Sequence, residues 1–223
     1  MTNEPAFRAK QAMSHALAAV REGNTLRSQL APIGERESVG GLLARNVARF
    51  GSHAVYAERV DGEFRAASWE SFARDVTAFA AFLADSGVGP GTRVAIVSPN
   101  RGEMLIAEFA TMGLGATYVP IFAGYPADQV QGLLAHATPT VVIVAGRAQL
   151  AGVYLGVGAR ALVTLDTVDA AALATLLQST MVHYTSFRDA ISAHPAGPAD
   201  VATFLDAAAR IDPDEPCLLN FTS

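Results

Sequence analysis

The pattern of apolar positions alternates between helical spacing and short continuous apolar runs. Apolar residues at helical spacing predict helices over 42–50, from Trp69 to about Leu83, over 102–114 and from Pro126 to about Ala137. The continuous runs predict buried strands, namely RVAIVS (93–98), ATYVPI (116–121), TVVIVA (140–145), ALVTLD (161–166) and CLLNF (217–221). Strands that alternate with helices every 20 to 30 residues are typical of βαβ units. The pattern therefore predicts an α/β fold with a mainly parallel sheet flanked by helices.

A β-hairpin is predicted before the second helix. The segments AVYAERV (54–60) and EFRAAS (63–68) are separated by Asp61-Gly62, a dipeptide that strongly favours a two-residue hairpin turn. Ser68 is a good N-cap for the helix that follows, and Gly87 is a suitable residue to end it.

The ends of the chain are less regular. Residues 6–30 have loosely spaced apolar positions, and we interpret 1–37 as an amino-terminal helical extension. A packing helix or an arm is favoured over a membrane-surface helix, because the polar face is not notably basic. The α/β region is expected to run from 38 to 223, with HPAGPAD (194–200) as an exposed linker.

Composition excludes several classes of protein. The net charge is −5 and Lys and Arg do not cluster, so the basic stripe of a nucleic-acid-binding protein is missing. Cys217 is the single cysteine, which excludes an internal disulfide and is compatible with a reducing cytoplasm. No apolar run approaches the ~18 residues of a membrane span, and no signal-peptide core follows the polar start. We therefore expect a cytoplasmic protein without a transmembrane segment.

Most candidate motifs are better explained structurally. GVGARA (156–161) matches a dinucleotide fingerprint in letters, but it precedes a predicted strand instead of following one, so it is interpreted as a loop. The five histidines (15, 53, 136, 183 and 194) have no zinc-ligand spacing, and no metal site is predicted. Cys217 lies in an apolar run and is expected to be buried, and the absence of G-x-S-x-G gives no support to a nucleophilic hydrolase.

The last residues, CLLNFTS, form an apolar run that leads into Thr222-Ser223. Hydroxyls and backbone N–H groups after a strand can face a bound anion, so a phosphate-binding loop could begin there. On these residues alone, a frayed terminus is the favoured interpretation.

The order of three segments along the chain favours a phosphate-binding loop over a frayed terminus. SWESFARDVTAFAAFLADSGVGPGTRVAIVSPN (68–100), EMLIAEFATMGLGATYVPIFAGYPADQVQGLLAHATPTVVIV (103–144) and RIDPDEPCLLNFTS (210–223) follow one another along the chain. Together they resemble the adenylate-forming (AMP-binding) enzymes, whose phosphate loop reads T-S-G-T-[ST]-G-x-P-K. The long stretch before the loop, with HYTSFRDAIS (183–192), is most similar to long-chain fatty-acyl-CoA synthetases.

The resemblance implies a two-step ligase reaction. A carboxylate, expected to be a fatty acid, reacts with ATP to give acyl-AMP and pyrophosphate, and CoA then displaces AMP, with Mg²⁺ assisting. Only Thr222 and Ser223 match the motif, as the first two phosphate-loop residues, and no catalytic residue is assigned. The 223 residues are thus expected to be the amino-terminal part of such an enzyme and inactive alone.

Two alternatives stay open from the sequence. The acyl acceptor could be a carrier protein instead of CoA, or the chain could be a non-catalytic dimerisation or docking module served by residues 1–37. The acyl chain length and the oligomeric state, including a possible homodimer, are not determined by the sequence.

Overall fold

A computed structural model describes residues 37–177 and 181–221. Along the chain the elements are α1 (Val39–Phe50), β1 (Ala54–Val60), β2 (Glu63–Ser68), α2 (Trp69–Asp85), β3 (Arg93–Ser98), α3 (Gly102–Gly113), β4 (Thr117–Phe122), α4 (Ala127–Ala137), β5 (Val141–Val144), α5 (Arg147–Leu150), β6 (Ala161–Thr164), α6 (Ala170–Leu177), β7 (His183–Ser186), α7 (Phe187–Ala193) and α8 (Pro198–Ala209).

Five strands form one parallel sheet in the order β4-β3-β5-β6-β7. β3 lies between β4 and β5, with Ile96 opposite Pro120 on one side and Ile143 on the other. The predicted mainly parallel sheet is confirmed, and its apolar strands are buried on both faces, as parallel sheets require.

Helices cover both faces of the sheet. Side chains alternate along each strand, so Ile96 belongs to the core under α2, α3 and α7, while Val97 belongs to the core under α4 and α6. On the first face α1 and α8 pack against each other and against α3. The sheet is thus the central layer of a three-layer α/β fold.

The predicted hairpin and helix caps are confirmed. β1 and β2 pair antiparallel, and both turn residues have positive φ, 53° at Asp61 and 87° at Gly62. Those angles match a type I′ turn, which follows the twist of the strands it joins. Ser68 caps α2 by accepting a hydrogen bond from the Ser71 N–H, and Gly87, with φ 81°, follows the helix end.

The prediction of a strand over CLLNF (217–221) is wrong. A single bridge joins Leu218 to Tyr118 of β4, through hydrogen bonds of 2.9 Å from Tyr118 N to Cys217 O and from Leu219 N to Tyr118 O. Apolar composition signals burial, but a strand also needs a continuous ladder, which this segment does not form. Cys217 is accordingly half-buried and not part of a regular strand.

The region before this segment holds elements that the sequence pattern missed. HYTS is too polar to read as a buried strand, yet it forms β7, where His183 pairs with Ala161 of β6. The predicted linker 194–200 is also partly wrong, because α8 already begins at Pro198, a residue well suited to a first helical turn. The predicted helix within 1–37 lies outside the described residues.

Candidate functional site

The carboxyl ends of β3 and β5 form a topological switch point. From β3 the chain continues to β4 on one side, and from β5 it continues to β6 on the other side. The loops that leave two such neighbouring strands diverge and open a crevice, where α/β proteins with this arrangement bind ligands.

Three cavities lie along this edge of the sheet. The hairpin cavity, about 1020 Å³, lies between β1 and the start of α3; the β7 cavity, about 480 Å³, lies at the ends of β6 and β7; the Phe221 cavity, about 270 Å³, lies at the ends of β3 and β4. Asn100 and Met104 line both the hairpin and Phe221 cavities, whereas Arg101, Glu103 and Arg188 line both the hairpin and β7 cavities. The three cavities therefore share walls and form one row.

Arg101 stands at the wall between the hairpin and β7 cavities. Its Nε and Nη2 donate to the two carboxylate oxygens of Glu103 at 2.9 and 2.6 Å, and its Nη1 donates to Asp166 Oδ1 at 2.8 Å. The hydrogen bonds to Glu103, together with the one to Asp166, outweigh the opposing effect of burial and raise the pKa of Arg101. The guanidinium is therefore a fixed positive charge held by two carboxylates.

Asp166 extends this network to the end of β5. Its backbone N–H donates to Ala145 O at 2.7 Å, and a Cβ added at Gly146 would be 3.0 Å from its Oδ2. The side chain thus lies closely over Gly146. Through Asp166, the loop after β3 is connected to the loops after β6 and β5, directly over the switch point.

The hairpin closes the opposite wall. Gly102 N, at the start of α3, donates to Glu58 Oε1, and the Tyr56 ring lies against Gly102, where an added Cβ would be 2.6 Å from Oη. A carboxylate is stabilised by the N-terminal N–H groups of a helix. Burial, followed by the charges of Glu58, Asp75 and Glu103, raises the pKa of Tyr56 to about 12, so its phenol is neutral at physiological pH.

Two further carboxyl groups face the cavities from helices. Asp75 of α2 lines the β7 cavity and Glu108 of α3 lines the hairpin cavity. Burial raises the pKa of both carboxyl groups. Burial also raises the pKa of Tyr118, whose hydroxyl donates to Met104 O at 3.4 Å. The hairpin and β7 cavities are therefore each lined by a partly desolvated carboxyl group.

The Phe221 cavity is different, because no charged side chain among the described residues lines it and most of its lining residues are aromatic or aliphatic. Phe122 and Tyr125 meet edge to face at 5.5 Å, and the ring of Phe221 lies 5.8 Å from that of His136. Its polar lining comes from Ser98, Asn100 and Asn220. An apolar pocket with a few polar groups is the usual form of a small-molecule site.

The two predicted phosphate-loop residues, Thr222 and Ser223, lie outside the described residues. Phe221, which directly precedes them in the chain, lines the apolar cavity at the ends of β3 and β4. The part of the chain that leads into the predicted loop is thus at the switch-point edge.

The remaining sequence interpretations can be compared with the structure. Gly156 and Gly158 lie in a loop that leads into β6, so the interpretation of GVGARA as a pre-strand loop is confirmed. Over 37–177 and 181–221 no group of three or more His, Cys, Asp or Glu side chains could hold a metal ion. None of the helices in those ranges has the length and apolar character needed to cross a membrane.

Sequence reasoning missed Arg101, Glu103, Arg188 and Asp166 as site residues. A signal was available for two of them: Arg101 and Asp166 each follow a buried apolar run, and the carboxyl ends of parallel strands meet at one edge. Their mutual contact across 65 positions was not visible, because strand order is not written in the sequence.

The fold is that of an α/β protein with a row of cavities at the switch-point edge of a parallel sheet. The comparison with known families is more specific, since the profile of the AMP-binding enzymes matches residues 43–223. The chain therefore belongs to the AMP-binding, adenylate-forming enzyme family, as the resemblance implied.

Individual relatives match shorter segments. Protein Y of Streptomyces griseus is 36% identical over 93 residues, covering 42% of this chain and 30% of that protein. A long-chain-fatty-acid–CoA ligase of Mycobacterium bovis is 29% identical over 110 residues, 49% of this chain and 18% of the ligase. Enterobactin synthase component F of Escherichia coli is 33% identical over 76 residues, 34% of this chain and 6% of the synthase. The matches thus span less than a third of these relatives.

Solved structures confirm the fold. The adenylation and carrier didomain of a carboxylic acid reductase from Segniliparus rugosus, in complex with AMP, has a TM-score of 0.70 at 16% identity, covering 86% of this chain and 31% of that one. The adenylation domain of a carboxylate reductase from Mycobacterium chelonae has a TM-score of 0.67 at 21% identity, covering 99% and 38%. The three-layer arrangement is thus that of the amino-terminal part of adenylate-forming enzymes.

Proposed function

We propose that this chain is part of an ATP-dependent, AMP-forming acyl-CoA synthetase that activates a fatty acid. The observation that carries the proposal is the family match over 43–223, which includes the switch-point cavities and the segment through Phe221. Family membership implies that ATP and a carboxylate are substrates. The acyl-CoA product is the additional part of this proposal.

Two relatives support CoA as the acceptor. They are the long-chain-fatty-acid–CoA ligase and a 3-hydroxypropionyl-coenzyme A synthetase of Sulfurisphaera tokodaii, the latter 34% identical over 92 residues. The apolar lining of the Phe221 cavity is compatible with a substrate that carries an alkyl chain.

A second candidate keeps adenylation and changes the acceptor to a carrier protein. It is favoured by the similarity to enterobactin synthase component F and by the reductase didomain, whose carrier domain accompanies its adenylation domain. Both candidates share the first half-reaction, in which a carboxylate oxygen attacks the α-phosphorus of ATP and pyrophosphate leaves. In the second half-reaction, the thiol sulfur of the acceptor attacks the acyl carbonyl carbon, AMP leaves and a thioester forms.

The chain's own residues contribute positioning in this scheme. Apolar side chains of the Phe221 cavity would exclude water from the acyl adenylate, and excluding water protects such reactive intermediates from hydrolysis. Thr222 and Ser223 would begin the loop that holds the ATP phosphates. Mg²⁺ would supply charge stabilisation on those phosphates, but the described residues contain no cluster that fits the cation, so no step is assigned to it.

The test is a carboxylate-dependent exchange of labelled pyrophosphate into ATP by the full-length parent protein, with fatty acids of increasing length. We expect exchange with at least one fatty acid, followed by AMP release on addition of CoA. Exchange without thioester formation from CoA, but with loading of a carrier protein, would establish the second candidate. Absence of exchange with every carboxylate tested would contradict both.

The 223 residues by themselves provide the matched control. They match about a third of the length of the related adenylation structures, and they hold only two residues of the predicted phosphate loop. We expect no pyrophosphate exchange from them, and activity above background would contradict the role proposed for the phosphate loop.

A further inference from the structure

The Arg101–Asp166 ion pair lies at the switch-point edge of the sheet, where the proposed adenylation would need residues that are held rigidly. Arg101 is in the turn between β3 and α3, and Asp166 is in the loop after β6, two strands away in the sheet. The contact at 2.8 Å therefore crosses the end of β5 and covers the switch point.

Three hydrogen bonds restrain the guanidinium group of Arg101. Glu103 accepts from two guanidinium nitrogens, which fixes the plane of the group, and Asp166 accepts from the third. Only 26% of the Arg101 side chain is exposed. A paired fork of this kind is specific to arginine, because a lysine ammonium cannot bind both oxygens of Glu103 in one plane.

The turn held by Arg101 also forms a wall of the Phe221 cavity. Asn100, directly before Arg101, lines that cavity together with Asn220 and Phe221. A shift of the turn would move Asn100 relative to the segment that leads into Thr222-Ser223.

We propose that Arg101 is a positioning residue for acyl-adenylate formation: by binding Asp166 it holds the β3–α3 turn in register with Asn220 and Phe221, which line the same cavity as Asn100. This inference rests on the proposed function. Arg101 does not line the Phe221 cavity, so in this proposal its loss would misplace the reactants without removing a binding contact. A misplacement of about 1 Å can cost about 100-fold in rate.

The experiment uses the full-length parent enzyme and pyrophosphate exchange as the readout. We expect Arg101→Gln and Asp166→Asn each to lower kcat by about tenfold or more, with KM for ATP and for the fatty acid within about threefold. The double variant should be no slower than the slower single variant, because both changes break the same contact. Arg101→Lys should also be slow, since it keeps the charge but loses the fork.

Controls separate positioning from folding. Arg210→Gln breaks another close arginine–aspartate pair, Arg210–Asp206 at 2.6 Å, in the remote helix α8, and should leave kcat unchanged. Thermal unfolding of Arg210→Gln should stay close to wild type, because both side chains of that pair are more than 60% exposed and exposed ion pairs contribute little to stability. The Arg101 and Asp166 variants should remain folded at the assay temperature, and their kcat is compared only under that condition. Amide hydrogen exchange should rise at 100–104 in Arg101→Gln and Asp166→Asn, but not in Arg210→Gln.

The outcomes distinguish this inference from the function on which it rests. An active wild-type enzyme whose Arg101 and Asp166 variants retain wild-type kcat would overturn the positioning role and leave the proposed function intact. Additive losses, or a rise in KM alone, would also overturn it. A wild-type enzyme without exchange activity would overturn the proposed function and, with it, this inference.

Discussion

Gly40 of α1 lies directly against the backbone of Ala208 in α8. A Cβ added at Gly40 would be 2.3 Å from the carbonyl oxygen of Ala208 and 2.6 Å from its Cβ. The same carbonyl accepts a hydrogen bond of 3.1 Å from Ser38 Oγ, at the N-cap of α1. The first turn of α1 is thereby fixed to the last turn of α8, 170 residues further along the chain.

This contact predicts that Gly40→Ala destabilises the fold. Alanine favours a helix by about 1 kcal/mol over glycine, but the backbone at Ala208 cannot yield as a flexible side chain can. We expect a net loss of about 1–3 kcal/mol in the free energy of unfolding, measured by urea denaturation. Gly41→Ala is the control, because its nearest neighbour is the flexible Glu37 side chain at 3.0 Å. Equal stability of the two variants would contradict the close approach.

The hairpin turn makes a second prediction about glycine. Gly62 has φ 87° and no neighbour within 4 Å, so Gly62→Ala introduces backbone strain without any steric clash. We expect a loss of about 1–2 kcal/mol. Gly132→Ala, in α4, also meets no neighbour and should instead stabilise by about 0.5–1 kcal/mol. Calorimetry should show shifts of opposite sign, and shifts of the same sign would refute the assigned turn.

Phe187 anchors the helix that the sequence pattern did not reveal. It is 5% exposed, and its ring centroid is 4.5 Å from that of Phe79 in α2. Phe187→Ala should cost about 3–5 kcal/mol through lost burial and a residual cavity. Phe64→Ala removes the same atoms from a residue that is 78% exposed and should change stability by less than about 0.5 kcal/mol. A small effect at Phe187 would show that α7 does not pack on the core.

Glu108 makes a prediction about pH. Burial raises the pKa of its carboxyl group above the ordinary value of 4.5, so the folded state holds this proton more tightly than the unfolded state does. The resulting stability is fully present below pH 4.5 and is lost as pH rises through the folded-state pKa. Glu108→Gln removes the buried charge and should raise the melting temperature at pH 8. That gain should vanish as the pH approaches 4.5.

The control for this titration is Glu63→Gln, at an exposed position of the hairpin. Its effect on the melting temperature at pH 8 should be small, because substitutions at exposed positions change stability little. A gain from Glu108→Gln that is constant across the pH range would mean that the carboxyl group is not desolvated.

Elements whose signals are local could be predicted from the amino-acid sequence. The apolar run 93–98, the Asp61-Gly62 turn and the Ser68 cap each appear where they were predicted, because period, turn chemistry and capping act within a few residues. The ordered segments also led to the adenylate-forming family, which the match over 43–223 confirms.

Strand pairing and contacts between distant side chains became visible in the tertiary structure and not before. HYTS forms β7 because it pairs with β6 through backbone hydrogen bonds. Within the described residues, the more apolar CLLNF forms only a single bridge, between Leu218 and Tyr118. Arg101 and Asp166 meet because β5 separates β3 from β6 in the sheet, an order that no local pattern encodes. Strand pairing and side-chain contacts are set by the packing of the whole chain, and the candidate site is built from those contacts.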